Sequence, residues 1–113
     1  MEDPSKVEIS EDDVLELMDQ FTRVPPLVLK MVIRGNSNVV KNFHSQIEEY
    51  KNTLTPEEIL KIRKVLDMPV EELQDILNRA YQKTKQQQLI ILADPKAQPF
   101  IKKNLQELGK IIF

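Results

Sequence analysis

The sequence predicts an all-α protein, folded as a single compact orthogonal bundle of about six short helices. Apolar residues recur at helical spacing along most of the chain, and prolines or short polar stretches separate the repeats. Aromatic residues make up only 5% of the 113 residues, so Leu, Ile, Val and Met must supply most of the core, which suits helices packed on helices. We expect one helical domain over residues 10–113, preceded by a flexible acidic lead-in over residues 1–9.

The first predicted helix begins at Ser10, because its hydroxyl can cap the helix and acidic residues follow directly after it. Its core-facing stripe consists of Val14, Leu17, Met18 and Phe21. Pro25 and Pro26 end this helix and open the next one, since a proline in the first turn gives up no helical hydrogen bond.

The second predicted helix, LVLKMVIR, is nearly all apolar, and its polar residues Lys30 and Arg34 lie on one line along the helix. We expect it to end at Gly35. Its β-branched residues are also compatible with a strand. A third helix is then expected from about residue 36 or 37 to about residue 52.

The fourth predicted helix begins at Thr55, which forms the sequence pattern of a capping box with Glu58. Leu54 can pack on Ile59 as a hydrophobic staple at the same helix start. Pro69 follows a short turn and begins the fifth predicted helix, because its fixed backbone angle suits a first helical turn.

The apolar stripe of the fifth helix stops after Tyr81, so we expect this helix to leave the core near residue 84. Residues 89–93, LIILA, predict either a short buried helical turn or a brief strand. Pro95 closes that segment, because the residue before a proline avoids the α region. A final helix is expected from about residue 97 to about residue 111.

The segment LTPEEILKIRKVLDMPVEELQDIL, residues 54–77, resembles the first two helices of a Cro/repressor-type helix-turn-helix and covers about a fifth of the chain. The resemblance implies a turn at Asn78, where that family usually has glycine. It also implies a recognition helix over residues 80–88, with glutamine and lysine side chains directed at bases in the major groove. A divergent helix-turn-helix over residues 55–88 is therefore one hypothesis for function.

The formal net charge of −2 conceals an uneven distribution of charge along the chain. Residues 1–19 hold eight acids and one lysine, a net −7, whereas residues 20–113 hold ten acids and fifteen bases, a net +5. One hypothesis is that residues 10–22 dock on the chain's own basic surface and compete with an anionic ligand, or else bind a basic partner. The alternative is that these acids serve helix capping and solubility.

The basic surplus is concentrated in residues 79–103, which hold six cations and one acid. If they converge in space, we expect them to contact an anion or a protein partner. The six residues are Arg79, Lys83, Lys85, Lys96, Lys102 and Lys103. The alternative is a solvated helix end, because acids early and bases late in the fifth helix are what the helix dipole favours.

No pattern in the sequence predicts catalysis, a cofactor or a metal site. The chain has no cysteine, and its two glycines form no phosphate-binding loop. His44 is its only histidine, and no Ser-His-Asp arrangement surrounds it. We therefore expect a non-enzymatic protein.

The sequence favours a small helical module that binds another macromolecule, with a protein partner or a homodimer preferred and nucleic-acid binding through residues 79–103 as the alternative. If not all are buried, Leu27, Met31 and Ile33, or else residues 111–113, are the predicted homodimer contacts. Membrane-surface binding by residues 100–103 is a third alternative. The longest apolar run has five residues and the N-terminus is acidic, so we expect no transmembrane segment or signal peptide and a cytoplasmic location.

Overall fold

Residues 8–113 of the protein are described by a computed structural model, and helices account for most of them. The α-helices are α1 (Glu11–Leu17), α2 (Asp19–Thr22), α3 (Pro26–Arg34), α4 (His44–Asn52), α5 (Pro56–Leu66), α6 (Val70–Thr84), α7 (Gln87–Ala93) and α8 (Gln98–Ile112). Short 3₁₀ turns, Val40–Phe43 and Pro95–Ala97, precede α4 and α8. The predicted all-α class is confirmed, with eight α-helices in the described residues rather than about six.

Two local features raise the helix count above the prediction. The first predicted helix is divided at Met18, a fully buried residue that both ends α1 and precedes α2. The segment predicted as either a helical turn or a strand forms a helix of its own, α7. In addition, the third predicted helix starts late, because residues 36–39 form a loop and the chain first enters a 3₁₀ turn.

The predicted capping boxes are present at the starts of α1 and α5. The Ser10 hydroxyl accepts a hydrogen bond from the Asp13 backbone N–H at 3.3 Å, and the Asp13 carboxylate accepts one from the Ser10 N–H at 2.9 Å. Thr55 and Glu58 make the same reciprocal pair at 3.2 and 3.1 Å. Each box satisfies backbone donors that the first helical turn leaves without partners.

Helix α3 ends at Gly35, as the sequence predicted, but Gly35 is not the residue in the left-handed conformation. Gly35 has a right-handed backbone, with φ −81°, and Asn36 is the residue with positive φ, at 51°. The backbone N–H of Ser37 donates to the Val32 carbonyl at 2.9 Å, and that of Asn36 donates to the Ile33 carbonyl at 3.0 Å. This is a Schellman motif in which asparagine replaces the usual glycine at C′.

Helix α6 is continuous through Asn78, so the turn that the helix-turn-helix resemblance implies at that position is absent. The helix ends only at Lys85, whose φ of 59° places it in the left-handed region. Ala80 is fully buried and Tyr81 partly buried, whereas residues 82–86 are exposed, so α6 leaves the core where the sequence predicted.

The buried apolar residues form one core cluster, which includes Val14, Leu17, Met18 and Phe21 from the α1–α2 region. Helix α6 packs against α7 and α1, and α8 packs against α4 and α5. Phe21 and Phe100 meet edge to face at the centre, with ring centroids 5.8 Å apart. Phe100 and Ile101 are 1% and 5% exposed, which contradicts the membrane-surface alternative for residues 100–103.

Most of the predicted lead-in, residues 1–7, lies outside the described residues and stays a prediction. Within its described end, Glu8 is exposed and Ile9 is partly buried and packs on the core cluster. The ordered contacts of the chain therefore begin no later than Ile9.

Candidate interaction surface

The outward face of α3 carries Leu27 and Met31, the most exposed large apolar side chains of the described residues. Leu27 is 76% exposed and Met31, one turn later, is 71% exposed, while Val28 beside them is 48% exposed. Lys30 and Arg34 are exposed on the same helix at positions i+3 and i+7 from Leu27. We use the name α3 face for Leu27, Lys30, Met31 and Arg34, which share one side of the helix.

The opposite side of α3 fixes the helix to the protein. Leu29 is fully buried, and Val32 and Ile33 are partly buried against the core. Helix α3 packs mainly on α7, and the Gln88 amide donates to the Thr22 and Val24 carbonyls just before α3 begins, at 3.2 and 3.3 Å. Burial of Leu29 therefore requires the α3 face to point outward.

An open cleft of about 620 Å³ lies beside the α3 face, between α3, α7 and the beginning of α8. Its apolar wall includes Ile33, Ile91 and the edge of Phe100. Its charged lining is cationic in balance, with three bases and one acid. The charged residues are Lys30, Arg34, Lys96 and Asp94.

The only acid of this cleft already has a structural role. One Asp94 carboxylate oxygen accepts a hydrogen bond from the Lys96 backbone N–H at 2.9 Å and so caps the 3₁₀ turn before α8. Within residues 8–113, no ion pair involves the side chains of Lys30, Arg34 or Lys96. Within residues 8–113, the lining of the cleft therefore carries more positive than negative charge, and its three bases form no ion pair.

The structure places the predicted cations Arg79 and Lys83 against α1. The Arg79 guanidinium lies 3.0 Å from Glu11 and 3.2 Å from Asp75, and Lys83 Nζ lies 2.9 Å from Asp12. The hydrogen bond and the negative charge of Asp12 raise the pKa of Lys83. These two cations are thus engaged within the chain, as the docking part of the acidic-helix hypothesis expects.

The remaining predicted cations lie in different surroundings. Lys85 Nζ donates to the Gln82 side chain at 2.9 Å and lies 5.4 Å from the centre of the Tyr81 ring. Lys96 lines the cleft, and Lys103 Nζ donates to the Asn36 carbonyl at 2.8 Å at the end of α3. Lys102 is exposed on α8. Of the six cations, Arg79 and Lys83 therefore contact α1, whereas Lys96 and Lys103 lie near the end of α3.

Lys30 and Arg34 of the α3 face were not among the predicted site residues. The signal was present in the sequence, because both are spaced at helical intervals from Leu27 and Met31. Ile33, which the sequence predicted as a homodimer contact together with Leu27 and Met31, is partly buried. Residues 111–113 were the alternative homodimer contact. Of these, Ile112 is buried, and the half-exposed Phe113 ring lies 4.2 Å from the Arg63 guanidinium.

The polar side chains of His44 and Tyr50 also interact with other residues of the chain. His44 is exposed and lies 3.1 Å from the Glu48 carboxylate, four residues along α4. Burial, together with the neighbouring Glu16 and Glu58 carboxylates, raises the pKa of Tyr50 well above its ordinary value. Within residues 8–113, no three carboxylate or imidazole side chains are placed to hold a metal ion together.

Comparison with protein-family models, curated proteins and solved structures found no match to this chain. None of the helices within residues 8–113 combines the length and the apolar composition that a membrane span requires.

Proposed function

We propose that this protein is a non-catalytic helical module that binds another protein through the α3 face. The exposure of Leu27 and Met31, at 76% and 71%, is the observation that carries the proposal. Single exposed apolar residues are normal on protein surfaces, but these two adjoin each other and Val28 on one helix. Covering them with a partner would remove apolar surface from water, which favours association.

The charge on the α3 face favours a different protein over a second copy of this chain. A two-fold dimer interface brings the same patch of both subunits together. Pairing two α3 faces would therefore place Lys30 and Arg34 of one copy near the same cations of the other, and α3 itself carries no acid to compensate them. Like charges brought together in this way oppose association.

The proposal is tested by comparing proteins captured by the full chain and by a Leu27→Gln/Met31→Gln variant. Glutamine preserves helix propensity but removes the apolar surface, so the fold should be retained. We expect one or a few proteins to be captured by the wild type and lost with the variant. The control is Ile90→Gln, which alters a 45%-exposed apolar residue on α7. Equal capture by all three proteins would refute the proposal.

Nucleic-acid binding through residues 79–103 is the competing hypothesis. Arg79 and Lys83 would have to exchange the Glu11 and Asp12 carboxylates for phosphates before they could contribute. Anisotropy of labelled DNA and RNA at two salt concentrations distinguishes the two functions, because phosphate contacts weaken steeply as salt rises. Salt-sensitive binding that tightens in a Glu11→Gln/Asp12→Asn variant would favour the competing hypothesis.

A further inference from the structure

The α3 face and the cleft beside α7 form one continuous surface. Lys30 and Arg34 belong to both, since they share a side of α3 with Leu27 and Met31 and also line the cleft. A segment lying along α3 would therefore contact apolar side chains and cations alternately. Any partner of the α3 face has to match this alternation.

The cations of the cleft differ in their partners from the bases that contact α1. Arg79, Lys83 and Lys61 each lie within 3.4 Å of a carboxylate from α1. Lys30, Arg34 and Lys96 form no such pair within residues 8–113. An acidic group that enters the cleft would meet cations without first displacing an internal partner, as it would have to do at α6.

The apolar wall of the cleft determines what kind of anion fits. Ile33 and Ile91 are partly exposed and line the cleft, so a ligand that fills it contacts apolar atoms as well as charge. A glutamate or aspartate side chain on a helix meets both needs, because its carboxylate can reach the bases while neighbouring apolar residues cover the wall. Exclusion of water by such a segment would also strengthen each ion pair.

We infer that the partner presents an acidic amphipathic helix, which lies along α3 with its apolar residues on Leu27 and Met31 and its carboxylates in the cleft. This inference rests on the proposed function, since it specifies the partner of the same face. Recognition of one helix by the apolar groove of another protein is an established mode of peptide binding, with anchors at positions i, i+3, i+4 and i+7. The acidic residues add selectivity for this partner over a neutral or basic helix.

The test uses a phage-displayed library of random peptides of about 15 residues, roughly four helical turns. Selection is run in parallel on the full-length protein, on Leu27→Gln/Met31→Gln and on a charge-reversed Lys30→Glu/Arg34→Glu/Lys96→Glu variant. Lys96→Glu alone serves as a milder variant outside α3, and Lys102→Glu is the control on the exposed side of α8. Circular dichroism verifies that every variant is folded.

We expect peptides selected on the wild type to combine Leu, Ile or Phe with Asp or Glu at helical spacing. Their affinity should fall about tenfold or more on charge reversal, about 1.4 kcal/mol, and remain unchanged with Lys102→Glu. Apolar peptides without acidic enrichment, or affinities unaffected by charge reversal, would overturn the inference and leave the proposed function standing. Equal selection on wild type and Leu27→Gln/Met31→Gln would overturn both. A dimer of the full chain that Leu27→Gln/Met31→Gln converts to a monomer would overturn the inference by showing that a second copy occupies the face.

Discussion

The side-chain oxygen of Asn104 accepts a hydrogen bond from the backbone N–H of Val39 at 2.8 Å, in a fully buried position of α8. The same oxygen lies 3.3 Å from the Val40 nitrogen, and the Asn104 amide donates to the carbonyls of Ser37 and Phe100 at 3.1 and 2.8 Å. All four hydrogen-bonding positions of this amide are used. Asn104 thereby fixes the loop after α3 to α8 and holds the α3 end of the cleft in place.

Asn104→Asp should destabilise the protein by about 2–3 kcal/mol at neutral pH, although the side chain keeps its shape. The introduced carboxylate can still accept from Val39 but cannot donate to Ser37 or Phe100, and its charge is buried. Since burial raises the pKa of the introduced carboxyl, the loss of unfolding free energy should become smaller as the pH falls. Urea unfolding of both proteins at several pH values measures this. A loss of unfolding free energy that does not depend on pH would contradict the assigned role of the buried Asn104 side chain.

Alanine substitutions at Gly35 and Asn36, at the end of α3, should have different effects on the stability of the protein. Gly35→Ala should be neutral or stabilise the protein by about 0.4–1 kcal/mol, because φ is −81° and an added Cβ meets no atom closer than 3.5 Å. Asn36→Ala should destabilise it by about 1 kcal/mol, because φ is 51° at this position. Thermal unfolding of the two variants checks the assignment. Destabilisation by Gly35→Ala with none by Asn36→Ala would show that the left-handed position is placed wrongly.

Deletion of residues 1–22 should abolish cooperative unfolding, because it removes part of the core and not only the acidic residues that contact α6. Val14 and Met18 are fully buried, and Phe21 packs edge to face on Phe100. In contrast, Glu11→Gln/Asp12→Asn should cost no more than about 1–2 kcal/mol, because it breaks exposed ion pairs only. Circular dichroism melts of both variants measure the cooperativity of unfolding and the loss of stability. A truncated chain that melts cooperatively like the full one would mean that α1 and α2 are dispensable.

The stability contributed by Asp13 should depend on pH. Burial acts to raise the pKa of its carboxyl, but hydrogen bonds from the Ser10 N–H and hydroxyl and the nearby Lys61 ammonium outweigh it, so the pKa lies below its ordinary value of 3.8. A carboxyl with a lowered folded-state pKa contributes stability that is present above the unfolded-state pKa and lost as the pH falls through the folded-state pKa.

Asp13→Asn should therefore lower the free energy of unfolding by about 1 kcal/mol at pH near 7, and the difference from wild type should shrink as the pH falls below 3.8 and through the folded-state pKa. Denaturant titrations at pH values across that window provide the measurement. Glu49→Gln, which removes an exposed carboxylate on α4, is the control and should show little effect at any pH. A difference in the free energy of unfolding that persists or grows in acid would contradict the contacts of Asp13 with Ser10 and Lys61.

The parts of the fold that local chemistry determines were predictable from the sequence. The starts of α1 and α5 followed from Ser10 and Thr55, because a capping box satisfies its own backbone donors within four residues. The division at Met18 and the late start of α4 were not predictable, since they depend on packing and on Asn104, far along the chain. Asn104 did leave a signal as the polar member of an apolar stripe that includes Phe100, Leu105 and Leu108.

The candidate site was predictable only in part. Leu27 and Met31 were expected to form a contact surface if unburied, and the line of Lys30 and Arg34 beside them indicates the outward side of α3. That Leu27 and Met31 stay exposed on that side, while Leu29 is buried on the core, is a property of the tertiary structure. Similarly, the six cations of residues 79–103 are visible in the sequence, whereas the contacts of Arg79 and Lys83 with α1 and of Lys96 with the cleft are properties of the tertiary structure.

Site-specific photo-crosslinking tests the central claim most directly. A photoreactive amino acid replaces Met31 on the α3 face or, as the matched control, Lys102, which is also exposed but lies on α8. The full chain carrying each probe is irradiated inside the cells that produce it. The account predicts a discrete protein adduct at position 31, lost when Leu27→Gln is added, and no such adduct at position 102. The same adducts from both positions, or an adduct at position 31 that Leu27→Gln leaves undiminished, would contradict it.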